Sequence, residues 1–413
     1  MKEQEISKRS IEKNFPKLFW MNIFSSMLTL TPVITLFYLL RGLSYSDLFL
    51  LSMVFGIGSF LFEVPTGMLA DKIGRKKSIL LAFFLLQIHN VAYLFAFGFL
   101  QMSLAFLVFV ISFTLLSGTV EALIYDSLKF CGREKDMKKE YGKFLSAGKF
   151  PSIFMPFVAA IIAKNLLNWQ FNVLICISIV AMMVAIWFTF RLKEPELHFE
   201  RGNKSKHLLK DSVQLFKTNK NFRRIFFNAA LIAVPFQLFW RIWQPYLTNL
   251  AVPVIVLGVI VATHNAITFF LQRNIHKIEE KVGIKKVMLA LTILPFIGYI
   301  LLIFFPNLIT ALVGIYLVFV FSVSRRPLES DYLNTHIKSE NRATALSFLN
   351  MLNGIFSVVL MGVTAYLTIY YEFMGLYIAG GLVLIGLLFF RLKDIHVKKH
   401  AVEEIVPLQL TNR

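Results

Sequence analysis

The stretch GMLADKIGRKK, residues 67–77, decides the fold because it is a short charged joint between two long apolar runs. The runs beside it, residues 46–70 and 76–98, are about as long as a helix must be to cross the hydrocarbon core of a bilayer. A joint with this many charges is expected to lie in water at one membrane surface. The stretch therefore predicts a hairpin of two membrane-spanning helices.

The composition extends this prediction to the whole chain. Of the 413 residues, 57% are hydrophobic, 16% are charged and 43 are phenylalanine. A soluble domain could not bury so much apolar surface, so most of the chain is expected to lie in lipid. Spanning backbone must form helices or a closed barrel, and long continuous apolar runs exclude the alternating pattern of a barrel. The expected fold class is an all-α polytopic membrane protein.

The apolar runs predict twelve transmembrane helices. Their predicted ranges are 17–40, 46–70, 76–98, 103–127, 142–164, 169–190, 222–247, 252–272, 284–304, 307–326, 342–370 and 374–391. These ranges predict five segments, which are an N-terminal tail (1–16), a six-helix half (17–190), a middle loop (191–221), a second six-helix half (222–391) and a C-terminal tail (392–413).

The basic residues indicate the orientation of the chain. The net charge is +19, yet nearly all of the 43 Lys and Arg residues lie in the tails and in the loops after even-numbered helices. The loops after odd-numbered helices contain only Arg41 and Lys164. By the positive-inside rule, both termini and the middle loop are predicted to be cytoplasmic, with the chain in the plasma membrane. Topology explains the excess of basic residues, so nucleic acid is not expected as a partner. The expected partners are the lipid bilayer and a small-molecule substrate.

The charged joint has a degenerate copy later in the chain. Residues 280–286, EKVGIKK, repeat the pattern of residues 71–77, DKIGRKK. A KNF triplet precedes both the first and the seventh predicted helix, at nearly the same offset. These matches indicate two duplicated six-helix halves, which is a transporter architecture with a substrate site between the halves near the membrane midplane.

The joint also resembles a known signature. GMLADKIGRKK matches every defined position of G-x-L-[AS]-D-[RK]-x-G-R-[RK]-[RK], found in the loop between helices two and three of the major facilitator superfamily. FEVPTG (62–67), SGTVEALIYDSL (117–128) and NRATALS (341–347) resemble a group of bacterial and archaeal facilitators presumed to be exporters. The resemblance implies the major facilitator fold, two pseudo-symmetric halves, alternating access and a monomer.

The resemblance further implies a gate at this loop. Asp71 would meet the N-terminus of helix eleven near Arg342 when the carrier is open outward, because a carboxylate is favoured at the positive end of a helix dipole. Arg75 would pair with Asp126, and the two loop glycines would allow a close helix contact and a tight turn. The implied gating residues are Gly67, Asp71, Gly74, Arg75, Asp126 and Arg342. The alternative is that the basic loop only sets topology and contacts anionic lipid.

Three ionisable residues fall inside predicted helices near the cytoplasmic end. Glu63, Glu121 and Lys149 lie at a similar depth, roughly 10 Å from that end, so a buried network is predicted. Ionisable groups in membrane spans are costly and are therefore functional candidates. One interpretation is that Glu63 or Glu121 carries a coupling proton beside Lys149; the alternative is a structural set that links helices. No cofactor is expected, and the proton gradient would supply the energy.

Polar stripes at helical spacing predict the walls of a substrate cavity. The stripe on helix seven contains Arg241, which either binds an anionic or polar part of the substrate or extends outward to the external loop. The stripe on helix eleven suits a cavity wall or helix packing equally well. The cavity candidates are Asn22, Ser26, Thr29, Gln237, Trp240, Arg241, Gln244, Asn350 and Asn353. Gln87, His89 and Asn90 are interpreted as packing residues, because helix three is peripheral in the resembled family.

The predicted function is secondary active transport, namely proton-coupled efflux of an amphipathic compound. Thr114 stands where drug–proton antiporters of the family usually have an arginine, so coupling would use a different set of residues. The alternatives are an uptake carrier or facilitator for a small polar solute, and a membrane sensor that transports nothing. No enzyme activity is expected, because P-loop, HExxH and GxSxG motifs are absent, and the two cysteines lack metal-ligand spacing.

Overall fold

The computed structural model describes residues 8–195, 216, 220–329 and 342–391. Within these ranges the regular elements are helices. They are α1a (Asn14–Ser25), α1b (Ile34–Leu40), α2 (Tyr45–Ile73), α3 (Arg75–Phe95), α4a (Gly98–Leu116), α4b (Thr119–Cys131), α5 (Met137–Ile162), α6 (Asn168–Phe190), α7 (Lys220–Asn249), α8 (Val254–Val282), α9 (Ile284–Phe304), α10 (Leu308–Ser324), α11 (Arg342–Leu367) and α12 (Met374–Phe389). Much of the predicted tails and middle loop lies outside the described residues.

The lengths of these helices fit a bilayer. In the described part of the chain, ten helical stretches are long and apolar enough to cross a membrane, and α4a and α4b together form one of them. Two shorter apolar helices, Thr31–Leu40 and Met374–Phe389, occupy the positions of the first and twelfth predicted spans. The molecule is thus an all-α polytopic membrane protein, as predicted. Most predicted bounds agree within a few residues, but α8 continues to Val282 rather than ending at 272.

The first predicted span, 17–40, is not one continuous helix. α1a ends at Ser25, and residues 26–30 are irregular before a 3-10 turn at Thr31–Val33. Pro32 explains the break, because its ring clashes with the carbonyl four residues earlier in an α-helix and it has no N–H to donate. The Thr29 hydroxyl donates to the carbonyl oxygen of Leu174 at 2.7 Å, which ties the irregular segment to α6. The prediction of a continuous helix was wrong at this point.

The fourth predicted span, 103–127, is also interrupted. Gly118 separates α4a from α4b and has a φ of +71°, a left-handed conformation that glycine adopts without steric cost. The interruption places the N-terminus of α4b inside the span, with Glu121 in its first turn. A carboxylate is favourable there because the helix dipole is positive at its N-terminal end.

The two halves share the same joint between their second and third helices. Gly74 ends α2 and begins α3 with φ +93° and ψ 161°, and Gly283 ends α8 and begins α9 with φ +87° and ψ 142°. These positive φ values favour glycine, so the repeated sequence pattern corresponds to a repeated backbone turn. We call the end of the bundle that carries these two joints the basic face, and the end that carries the turn at Gly42 the opposite face.

The halves contact each other along two helix pairs. Near the opposite face the start of α2 packs on the end of α11, where the Ser46 hydroxyl donates to the carbonyl oxygen of Ala365 at 2.8 Å. The end of α5 packs on the start of α8, where Gly258 lies directly against Ala160 and the carbonyl of Pro156. These contacts close the bundle at the opposite face.

The basic face is open. At the end of α2, no atom of the described residues outside α2 itself lies within 4 Å of the position that a Cβ on Gly67 would occupy. The side chain of Asp71, one turn further on, is 65% exposed. Between described residues, the hydrogen bonds that join the halves lie at mid-depth or nearer the opposite face. The described conformation is therefore closed at the opposite face and open at the basic face.

Candidate functional site

A cavity of about 590 Å³ lies between the two halves. Cavities of roughly 300–1,000 Å³ suit drug-sized ligands. Aromatic rings from both halves form much of its wall. They include Tyr38, Phe55, Tyr93, Phe106, Phe236 and Trp240. The cavity therefore offers flat apolar surfaces for a substrate, with polar contacts at a few positions.

Arg241 is the main polar group in this wall. Its Nε donates a 2.7 Å hydrogen bond to the hydroxyl of Ser52, which lies on α2 in the other half. Tyr38 and Tyr93 lie close enough to interact electrostatically with its guanidinium, and their hydroxyl oxygens are 2.9 Å apart. Arg241 thus faces the cavity in this conformation, where the sequence left it between a cavity role and an outward one.

Three other predicted cavity residues also line this space. Gln237 and Trp240 precede Arg241 on α7, and Trp240 packs on Phe319 with ring centroids 5.3 Å apart. Thr29 lies in the irregular segment of α1, where its hydroxyl contacts α6. The stripe on α7 and the break in α1 therefore meet at the same cavity.

The other five predicted cavity residues are placed elsewhere. They are Asn22, Ser26, Gln244, Asn350 and Asn353, and none belongs to the described lining. Asn22 donates to the carbonyl oxygen of Phe144 at 2.6 Å, so α1a packs on α5 there. Asn350 is exposed, and the side-chain oxygen of Asn353 is buried without a hydrogen-bond partner in the described chain. In this conformation these residues serve helix packing or lie outside the cavity.

Gln244 instead joins the two halves. Its side chain is fully buried, and its Oε1 accepts a 2.8 Å hydrogen bond from the backbone N–H of Thr35. Its Nε2 donates to the carbonyl oxygen of Thr31 at 3.1 Å. Both groups belong to the broken segment of α1, where helical partners are missing. One glutamine on α7 therefore satisfies the backbone of α1 across the interface near the opposite face.

Gln244→Leu is expected to weaken the closure of the opposite face. The variant removes two buried hydrogen bonds, worth about 2 kcal/mol together. The readout is labelling of a Leu28→Cys variant in which Cys131 and Cys176 are replaced by serine. An impermeant maleimide is added on the basic-face side of membrane vesicles, and we expect Gln244→Leu to slow its reaction. Leu28 suits this probe because it lines the cavity and is 61% exposed. Gln237→Leu is the matched control on α7; labelling equal to the control would contradict the assigned role.

Two residues of α3 line the cavity, although the sequence predicted that they pack against neighbouring helices. His89 and Asn90 both belong to the lining, and the His89 ring lies 4.0 Å from that of Tyr93. The Nδ1 of His89 also donates to the carbonyl oxygen of Ala105 on α4a at 2.9 Å, so this residue packs between α3 and α4a as well. Gln87 does serve packing, because its Nε2 donates to the carbonyl oxygen of Ile179 on α6 at 3.0 Å. The polar run at mid-helix was the available signal. His264 on α8 also lines the cavity.

The loop between α2 and α3 contains the predicted gating residues. Arg75 forms a 2.8 Å ion pair with Asp71, and the charge of Arg75 also acts on Asp126. The backbone N–H of Arg75 donates to the carboxylate of Glu194, which follows α6. Gly74 makes the sharp turn between the two helices. Glu194 was not singled out from the sequence, and it adds a negative charge at the start of α3.

Two features predicted for the gate are not formed in this conformation. Gly67 makes no close contact with another helix among the residues that the structure describes. Asp71 is exposed and paired with Arg75 rather than buried against α11. α11 begins at Arg342, whose side chain lies outside the described atoms. The resemblance predicted the contact of Asp71 with α11 for the outward-open carrier, so that contact stays a prediction.

The predicted coupling residues are dispersed in this conformation. Glu63, Glu121 and Lys149 are all exposed, and none forms an ion pair within the described residues. Glu121 lies beside Tyr141 of α5, and Lys149 is near enough to His264 to interact electrostatically. The buried network that their equal depth suggested is absent here, because the helices separate toward the basic face.

The described residues contain no cluster of three or more His, Cys, Asp or Glu side chains that could hold a metal ion. Cys131 and Cys176 are both free thiols. What the site offers is therefore a cavity between two helical halves, open in this conformation toward the basic face.

A two-half helical bundle around such a cavity defines a polytopic membrane carrier. Residues 18–328 match the family model of the Major Facilitator Superfamily, which covers most of the chain. The chain belongs to the major facilitator superfamily, and it is a secondary transporter rather than an enzyme. The superfamily predicted from the charged joint is thus confirmed, whereas the narrower exporter group stays a prediction.

Individual relatives are distant. The chain is 24% identical over 352 residues to the uncharacterized MFS-type transporter YxaM of Bacillus subtilis (strain 168), covering 83% of this chain and 84% of that protein. It is similar in fold to the nucleoside transporter NupG, with a TM-score of 0.71, 16% identity and coverage of 93% of this chain and 98% of that one. It is also similar to the D-xylose-proton symporter, with a TM-score of 0.68, 15% identity and coverage of 95% and 99%. At these identities the solved structures share the fold.

Proposed function

We propose that the chain is an efflux carrier that moves amphipathic compounds across the plasma membrane by alternating access. The observation that carries this proposal is the aromatic cavity between the halves, closed at the opposite face and open toward the basic face. A compound with an apolar body can leave the inner leaflet or the cytoplasm and stack on these rings. Rocking of the two halves then exposes it to the other side.

The orientation needed for efflux follows from charge. The positive-inside rule assigns the basic face to the cytoplasm, so both termini would be cytoplasmic. The halves are proposed as residues 17–190 and 222–391, joined by a cytoplasmic loop at 191–221. In this orientation the conformation described above is inward-facing, and it would load substrate from the cytoplasm. The carrier is proposed to work as a monomer.

Proton entry is proposed to drive export through carboxylates of the first half. Glu63 on α2 and Glu121 on α4b are exposed at the basic side of the bundle in this conformation. Either carboxylate would carry the coupling proton, and Lys149 on α5 would act on it by its charge.

Glu63→Gln and Glu121→Gln test the coupling. We expect a purified, reconstituted wild-type carrier to accumulate amphipathic compounds against their gradient when a pH gradient is imposed. Loss of the titratable carboxylate should abolish gradient-driven accumulation while leaving exchange at equal concentrations intact. Glu134→Gln, at an exposed position of the turn between α4b and α5 near the same membrane surface, is the control. Full gradient-driven transport by both variants would remove these residues from the coupling mechanism.

An uptake carrier or facilitator for a small polar solute is the second candidate. Gln237 and Arg241 favour it, because they supply fixed polar contacts within the cavity. Growth on a single nutrient that depends on the carrier would support uptake, whereas resistance to several toxic compounds would support efflux. A sensor, the third class, would transport nothing in the reconstituted system.

A further inference from the structure

The charged side chains in the described wall of the cavity are all positive. Two of its residues, Arg241 and Arg326, are cations, and none of the described lining residues is Asp or Glu. Lys149 acts electrostatically on His264, another lining residue, so a third cation lies nearby. The cavity therefore combines aromatic surface with positive potential.

Arg241 lacks a counter-charge. Within the described chain its Nε donates to Ser52, no carboxylate pairs with it, and its two terminal nitrogens have no hydrogen-bond partner. A charge held in a low-dielectric interior without a partner is costly. The guanidinium presents a planar fork of donors that matches a carboxylate or a similar oxyanion. An anion bound here would supply the missing charge.

The aromatic rings limit what else the ligand can be. Trp240 lies next to Arg241 on α7, and Tyr38, Tyr93 and Phe55 line the same space. A small inorganic anion would leave most of a cavity of about 590 Å³ unfilled. A cation would be repelled by the guanidinium. An apolar or aromatic body with a single acidic group fits both the rings and the charge.

We propose that the cavity binds amphipathic organic monoanions, with Arg241 holding the acidic group and the rings holding the apolar body. This inference rests on the proposed function and narrows its substrate class. The acidic group lies where the halves meet, because Arg241 on α7 already bonds to Ser52 on α2. Substrate occupancy and the contact between the halves therefore involve the same side chain.

A charge series with a constant apolar body tests this proposal. The probes are 1-naphthaleneacetate, its neutral amide and the cationic 1-naphthylmethylamine, titrated calorimetrically into the purified full-length carrier. We expect the acetate to bind wild type at least about tenfold more tightly than the amide. Arg241→Gln should reduce that preference to less than about twofold and leave amide binding unchanged.

Two further variants distinguish the loss of the Arg241 charge from a failure of the variant to fold. Arg273→Gln removes a cation from an exposed position of α8 outside the described lining, so it should keep the full preference for the acetate. Arg241→Lys keeps the charge and should retain part of the preference, which gives a readout even if Arg241→Gln does not fold. Equal binding of acetate and amide by wild type, or an unchanged preference in Arg241→Gln, would overturn the proposal. Binding of none of the three probes would also overturn it.

Transport in proteoliposomes distinguishes this inference from the proposed function. If the amine or the amide is transported and the acetate is not, the carrier function stands and the anion inference fails. If wild type transports no compound of a broader amphipathic panel, the proposed function itself fails, whatever the binding results. Transport of the acetate in preference to the other two supports both.

Discussion

Gly258→Val is expected to reduce transport at least about fivefold by preventing closure of the opposite face. A side chain at this position of α8 would overlap the methyl group of Ala160 and the carbonyl of Pro156 on α5. The carbonyl belongs to backbone, and Ala160 is fully buried, so neither can rotate away. Overpacking of such a contact costs about 1–3 kcal/mol, and this cost falls on the conformation described here.

The shift in conformation can be measured directly. Labelling of Leu28→Cys from the basic-face side should slow in Gly258→Val, because the state open at the basic face becomes less populated. Gly381→Val on α12 is the matched control, since no atom of another described helix lies within 4 Å of its Cβ position. Both variants should reach the membrane in similar amounts. Wild-type labelling and transport in Gly258→Val would show that the tight approach of α5 and α8 is not needed for the cycle.

Asp71→Asn is expected to have the opposite effect on the conformational equilibrium. We propose that Asp71 leaves Arg75 and meets the N-terminus of α11, near Arg342, when the basic face closes. A carboxylate at a helix N-terminus contributes up to about 2 kcal/mol in partly buried geometry. Its loss should favour the present open conformation by a factor of about 5–30 and slow transport. Labelling of Leu28→Cys from the basic-face side should then rise.

Glu280→Gln is the matched control for this variant. Glu280 occupies the equivalent position near the joint between α8 and α9, but Ile284 stands there in place of the motif arginine. Its neutralisation is expected to change transport little. Unchanged transport in Asp71→Asn, with normal membrane insertion, would remove the gating role and leave the loop with its topological one.

The two variants can also be combined. We expect Gly258→Val to disfavour the state open at the basic face and Asp71→Asn to disfavour the state closed there. The positions lie on different helices near opposite ends of the bundle, so their effects on the equilibrium should be nearly additive. Labelling of Leu28→Cys in the double variant is expected to return toward the wild-type rate. Slower labelling than in Gly258→Val alone would contradict a shared two-state equilibrium.

The polar stripe on α7 illustrates how far helical spacing can predict a site. The spacing placed Gln237, Trp240 and Arg241 on one face, since residues three and four apart share a face, and all three line the cavity between the halves. Gln244 belongs to the same stripe but bonds to α1 instead. Helical spacing predicts which residues share a face of α7. The break in α1 decides which of those residues line the cavity and which bond to α1 instead.

His89 and Asn90 are residues whose place in the cavity wall the sequence pattern did not predict. Their polarity was visible in the sequence, but the packing interpretation depended on α3 being covered by its neighbours. Thr29, Leu30 and Thr31 from the broken part of α1 line the same cavity as His89 and Asn90. No local pattern on α3 reports the shape of α1.

The sequence by itself determined the membrane fold, the twelve spans, the duplication and the superfamily. Lipid requires long apolar helices with their charges in the loops, so these features are recorded locally in composition and spacing. Only the tertiary structure decided which polar side chains face the cavity, which seal the halves and which face is open. Those outcomes depend on the interruptions at Pro32 and Gly118 and on the close approach at Gly258. Each outcome requires contacts between residues that are far apart in the chain.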